Sequence, residues 1–182
     1  MSKCSCAIIG YGYMGEIRRR MIDEHPNLSL SIVCERNSDK IVNEQKFKVT
    51  REAEEVINSD VDAIFICTPN HLIPELTVRC LEKGKHVFCE KPPGRTLEDI
   101  EIMRDAEQAN PNTKLMFGFN HRYHPGVLRA KSIVDSGRLG KVIALRGLYG
   151  KSGGKNFDNS WRNDFRISGG GILLDQGIHM LD

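Results

Sequence analysis

Cys4-Ser5-Cys6-Ala7-Ile8-Ile9-Gly10-Tyr11-Gly12-Tyr13-Met14-Gly15 is the stretch that decides the fold. Residues 4–9 read as a buried strand. The glycines then fall at Gly10-x-Gly12-x-x-Gly15, and the next segment has helical spacing through Met14, Ile17, Met21 and Ile22, stopping before Pro26. Residues 28–34 read as a second strand, and Glu35 follows it directly, 20 residues beyond Gly15. Strand, glycine turn, helix, strand and acidic residue in that order are the sequence pattern of a dinucleotide site. The three glycines serve different ends. Gly10 permits the tight turn, Gly12 lets the backbone approach a pyrophosphate, and Gly15 lets helix and strand pack closely. Tyr11, Tyr13 and Met14 complete the loop. The helix start offers unpaired N–H groups and a positive dipole end to the phosphates. Glu35 would accept hydrogen bonds from a ribose and repel a 2′-phosphate, whereas Arg36 can hold one. The balance favours NAD over NADP.

Outward from this unit the alternation continues. A short helix is expected over 39–45, a short strand at 47–49, and a helix capped by Thr50 and running through Ile57. Residues 62–67 read as a buried strand ending at Thr68-Pro69-Asn70. A helix over 71–83 stops at Gly84, a strand follows at 85–89, Thr96 caps a helix through about Ala109, and residues 114–119 form a sixth strand. Alternating strands and helices predict a doubly wound parallel sheet with right-handed crossovers, complete by residue 120.

After residue 120 the character changes. Residues 126–136 have helical spacing up to Gly137, and residues 141–149 read as a long strand. Residues 150–169 are polar and contain the only tryptophan, Trp161. Gly169-Gly170-Gly171 opens a last helical run, Ile172 to Asp182. One strand and two helices do not make an independent sheet domain. The expectation is therefore a nucleotide-binding domain at 1–120 and the first part of a truncated α/β domain at 121–182, with strand 141–149 an unpaired edge prone to self-association.

The bulk numbers exclude more than they assert. A net charge of +2 gives no reason to invoke nucleic acid or a membrane surface. No apolar run approaches the roughly 20 residues that span a bilayer, and the first residues lack a signal-peptide pattern, so a cytoplasmic protein is expected. The six cysteines include no Cys-x-x-Cys pair and sit in strand or helix patterns. They read as reduced core residues, and no metal site is expected.

A second stretch, His86-Val87-Phe88-Cys89-Glu90-Lys91-Pro92-Pro93, ends an apolar strand in a cation and two prolines. Ligands of open α/β sheets sit at the carboxyl ends of the strands, and a lysine there suits an active site. Together, Gly10-x-Gly12-x-x-Gly15, Thr68-Pro69-Asn70-His71, Glu90-Lys91-Pro92 and Gly169-Gly170-Gly171 followed by Asp175-x-x-x-His179 resemble the glucose–fructose oxidoreductase/inositol dehydrogenase (Gfo/Idh/MocA) family over the whole chain. The resemblance implies a Rossmann domain followed by an open-sheet α/β domain, and hydride transfer between NAD(P) and a secondary alcohol of a sugar, cyclitol or nucleotide sugar. It matches the family lysine to Lys91, its Asp and His to Asp175 and His179, and its nicotinamide-side turn to Thr68, Pro69 and Asn70. Members are usually near twice this length and form homo-oligomers when full length.

Such chemistry needs a base for the hydroxyl proton, and a histidine suits it. His179 is the candidate. Asp175, one helical turn earlier, shares its face and either orients the imidazole or binds substrate; spacing does not separate the two. Lys91 would polarise the reacting oxygen. Glu90 is expected to fix the turn, and His71 and His86 to be structural, although His71 lies beside the cofactor turn. Asn120, Arg122, Tyr123, Trp161 and Arg162 are candidates to line the sugar site. Two rival readings stand beside the enzyme: a non-catalytic NAD or sugar sensor of the same fold, and an inactive cofactor-binding fragment.

Overall fold

The computed structural model describes residues 3–37, 41, 46–150 and 157–182. Its strands are β1 (Cys4–Ile9), β2 (Leu28–Cys34), β3 (Lys48–Thr50), β4 (Ala63–Ile66), β5 (His86–Cys89) and β6 (Leu115–Phe117). Every pairing is parallel, and the sheet order is β3-β2-β1-β4-β5-β6. The order reverses between β1 and β4, which opens a crevice at their carboxyl ends. The doubly wound Rossmann sheet expected from the alternation is the observed one.

The helices are α1 (Tyr13–Glu24), α2 (Ala53–Ile57), α3 (Ile73–Glu82), α4 (Leu97–Ala109), α5 (Pro125–Asp135), α6 (Phe165–Ser168) and α7 (Ile178–Leu181), the last preceded by a π-helical turn at Leu173–Gly177. Strand side chains alternate between two cores. Cys6, Ile8 and Val33 face Ile22 of α1, while Ala7, Ile9, Ile64, Ile66, Val87 and Cys89 pack with residues of α2, α3 and α4. This two-sided burial explains why the strands read as apolar runs.

Helix punctuation follows the sequence in most places. Thr96 Oγ1 accepts from Asp99 N–H at 3.2 Å and caps α4. Gly84 and Gly137 take left-handed backbone just past α3 and α5, with φ of 72° in both. Two expectations fail. Thr50 does not cap α2: it ends β3, its hydroxyl accepts from Glu52 N–H, and α2 begins only at Ala53. Residues 141–149 form no strand among the described residues, and Ile143, Leu145 and Leu148 are 96%, 83% and 91% exposed. The apolar pattern is there, but a strand exists only through hydrogen bonds to a neighbour, and none lies alongside among the described residues. The helix expected over 39–45 falls largely outside the described residues. All six cysteines are free.

Candidate active site

The glycine loop sits where β1 ends, and its three glycines meet three different constraints. Gly10 has φ of 91°, and a Cβ there would lie 2.7 Å from the Cys67 carbonyl oxygen. A Cβ on Gly15 would lie 2.3 Å from Gly10 O, so α1 packs on the loop only because Gly15 has none. A Cβ on Gly12 would meet nothing within 4 Å, which leaves open space on the loop's outer side. Gly12 is also the N-cap of α1 and makes no side-chain cap bond. Free backbone donors beside open space suit a pyrophosphate. At the end of β2, Glu35 Oε2 accepts from Tyr11 N–H at 2.8 Å and Oε1 from Asn37 N–H at 3.0 Å. The residues present therefore fit a dinucleotide: Gly10, Gly12, Tyr13 and Met14 on the phosphate side, and Glu35 and Arg36 on the ribose side.

These residues open onto a cleft of about 920 Å³. The same cleft is lined by Thr68, Pro69, Asn70 and His71 after β4, Glu90 and Lys91 after β5, and Asn120, Trp161, Arg162, Asp175 and His179 from the second half of the chain. Tyr11 and Gly15 lie behind this surface, holding Glu35 and α1 in place. Arg122 and Tyr123 are not part of the lining: Arg122 forms a bidentate ion pair with Asp182, and Tyr123 is 62% exposed.

Lys91 Nζ donates to the Asp175 main-chain oxygen at 2.7 Å and to its Oδ1 at 2.9 Å. That pair ties the end of β5 to the π-helical turn. Asp175 Oδ2 accepts from Gln176 Nε2 at 2.9 Å, with Arg162 Nε at 3.7 Å. Burial works against the Asp175 charge, but hydrogen bonds from Lys91 and Gln176 and the charges of Lys91 and Arg162 outweigh it and hold the carboxyl below its usual range. Asp175 thus stays an anion beside a cation. Among the described residues no hydrogen bond joins it to His179.

His179 makes no side-chain hydrogen bond among the described residues, and its Nδ1 is buried without a partner. Burial, then the neighbouring His121 and Lys91, push it down to about 4 against the opposing pull of Asp175 and Asp182. It is therefore neutral at physiological pH, with a lone pair available but less basic than in an ordinary histidine. His71 is lowered too, by burial first and then by Arg95 and Arg36.

Several site-building contacts escape a reading by motif. Glu90 is buried, and its Oε1 accepts from Arg18 Nε at 2.7 Å, with the Arg18 guanidinium 4.6 Å above the Phe88 ring. A signal existed: Gly15, Arg18 and Ile22 follow helical spacing on the face α1 turns to the sheet. Asn70 Nδ2 donates to Ser168 O at 2.8 Å and so ties the turn after β4 to α6. The Arg162 guanidinium lies 4.5 Å from the Trp161 ring, and His121 and Tyr149 pack around His179. No spacing rule reveals the contacts of Asn70, His121 and Tyr149, because their partners are distant in sequence.

Comparison with known proteins agrees with this geometry. Residues 4–119 match the oxidoreductase family with an NAD-binding Rossmann fold (GFO_IDH_MocA), and residues 127–182 match a GFO/IDH/MocA C-terminal domain. A levoglucosan dehydrogenase of Pseudarthrobacter phenanthrenivorans is 38% identical over 125 residues, 68% of this chain and 32% of that protein. Among solved structures, myo-inositol 2-dehydrogenase from Lactobacillus plantarum superimposes with a TM-score of 0.88 at 31% identity, covering 98% of this chain and 54% of that one. A levoglucosan dehydrogenase in complex with NADH gives 0.85 at 30% identity, covering 100% and 53%. The chain thus spans about half the length of these structures, and less of the first relative. With its Rossmann sheet, glycine loop and Glu-Lys-Pro strand exit, the chain belongs to the Gfo/Idh/MocA oxidoreductase family.

Proposed function

We propose that the full-length protein is an NAD-dependent oxidoreductase moving hydride between the nicotinamide and a secondary alcohol of a sugar, cyclitol or nucleotide sugar. The observation that supports it most is the Lys91–Asp175 pair, set with neutral His179 in the cleft that also holds the glycine loop. When bound, the nicotinamide supplies the hydride chemistry. The chain's own residues would do the rest. Lys91, held in place by Asp175, stabilises negative charge on the reacting oxygen. His179, proton-free at neutral pH, takes the hydroxyl proton, help typically worth about 10²–10⁴ in rate. Trp161 and Arg162, which line the same cleft, offer a flat ring and a cation for a polyol. Glu35 disfavours a 2′-phosphate, which supports NAD over NADP. We place the boundary between cofactor and substrate parts at residues 120 and 121.

The test is titration of the full-length protein with NAD and NADP, then turnover on cyclitols and sugars including myo-inositol and levoglucosan. NAD binding tighter than NADP, with turnover of at least one polyol, is expected. Retained NAD affinity with no turnover across the panel would favour a sensor instead.

A further inference from the structure

A catalytic histidine is ordinarily held by a hydrogen bond from its second ring nitrogen to a carboxylate or carbonyl. Among the described residues His179 lacks one: Asp175 Oδ1 accepts from Lys91 and Oδ2 from Gln176, and the His179 Nδ1 is buried without a partner. What meets the ring instead is other rings. His121 lies face to face with it, centroids 4.0 Å apart and planes 17° from parallel. Tyr149 stands edge-on to both, at 5.0 Å from His121 and 6.3 Å from His179. Phe119 closes a further edge at 6.2 Å. His121 belongs to the single turn Asn120–Tyr123 after β6, and His179 to α7, so the stack also joins two elements far apart in sequence.

We propose that His121 is a positioning residue: its imidazole, stacked on His179, sets the plane of that ring in place of the missing hydrogen bond. This rests on the reading of His179 as the base. A second consequence concerns protons. Two parallel imidazoles this close repel when both are charged, so His121 opposes protonation of His179. The charged and titratable groups facing His179 are His121 from the turn after β6, Lys91 from the exit of β5, Asp175 and Asp182 from its own run, and the Tyr149 hydroxyl. Asp182 is itself paired with Arg122, which weakens its pull. His121 therefore also helps to keep His179 proton-free.

The experiment needs no substrate. In the full-length protein, the His179 imidazole resonances are followed through a pH titration, and the contact between the His179 and Tyr149 ring protons is measured by nuclear Overhauser effect. His121→Phe keeps a flat ring and removes the second imidazole. It should retain the Tyr149 contact and raise the His179 midpoint by about half a pH unit or more. His121→Ala removes the plate and should lose the contact while the amide spectrum of the Rossmann sheet stays unchanged. An unmoved midpoint in His121→Phe, or a retained contact in His121→Ala, overturns the proposal whatever the turnover. Normal turnover in His179→Ala overturns instead the reading of His179 as the base, and that variant leaves His121 untouched.

Discussion

At the scale of single residues, Lys91 and His179 carry the proposed chemistry, and Arg18, Gly12 and Gly15 its support. Lys91→Met should leave NADH binding intact and lower turnover at least about tenfold, because a neutral side chain cannot stabilise charge on the reacting oxygen. His179→Ala should behave alike. Stopped-flow binding and steady-state rates separate the two effects, and normal turnover in both variants would remove these residues from the mechanism. Arg18→Met leaves Glu90 buried at 8% exposure without its cation. Breaking a buried pair from one side costs about 3–5 kcal/mol, measurable by denaturant unfolding. A loss below about 1 kcal/mol would mean that solvent reaches Glu90. Gly15→Ala places a methyl against Gly10 O, so NAD affinity and stability should fall together, whereas Gly12→Ala meets open space and should spare stability.

At the scale of elements, local chemistry decides some ends and tertiary contacts decide others. Thr96→Ala removes the cap of α4 and should cost about 1 kcal/mol, seen as a lower unfolding midpoint with an unchanged slope. Thr50→Ala should not act through a cap, because Thr50 belongs to β3 and α2 begins only at Ala53. Both threonines precede helical patterns, and only the backbone path after each distinguishes them. Residues 141–149 make the same point for strands: Ile143 and Leu145 have a strand's composition but, among the described residues, no strand neighbour to bond. The π-helical turn Leu173–Gly177 reads in sequence as ordinary helix. Its looser winding still leaves Asp175 toward Lys91.

At the scale of the whole molecule, the cleft couples stability to pH. The folded state holds His179 at about 4, below the ordinary histidine value of about 6.5. The unfolded chain therefore binds more protons at that position between these values, and stability falls as pH drops from about 6.5 to about 4. Asp175 acts lower: its depressed carboxyl contributes stability that is present above its unfolded value and lost as pH falls through the folded one. Thermal unfolding of wild type and His179→Gln across pH 4 to 7 isolates the first effect. Their difference in midpoint should change in favour of the variant as pH falls, and a constant difference would contradict it. The sequence by itself determined the parallel sheet, the glycine loop and Glu35. Those features depend on local periodicity and backbone conformation at fixed spacing, which a single stretch contains. It also marked Lys91, Asp175 and His179 as residues of one chemistry. Only the tertiary structure decided that Asp175 holds Lys91 rather than His179, that Arg18 neutralises Glu90, that Asn70 ties its turn to α6 and that His121 stacks on His179. Each of those pairings joins residues from different elements, and the distance between two side chains is set by how helices pack on the sheet, not by the number of residues between them.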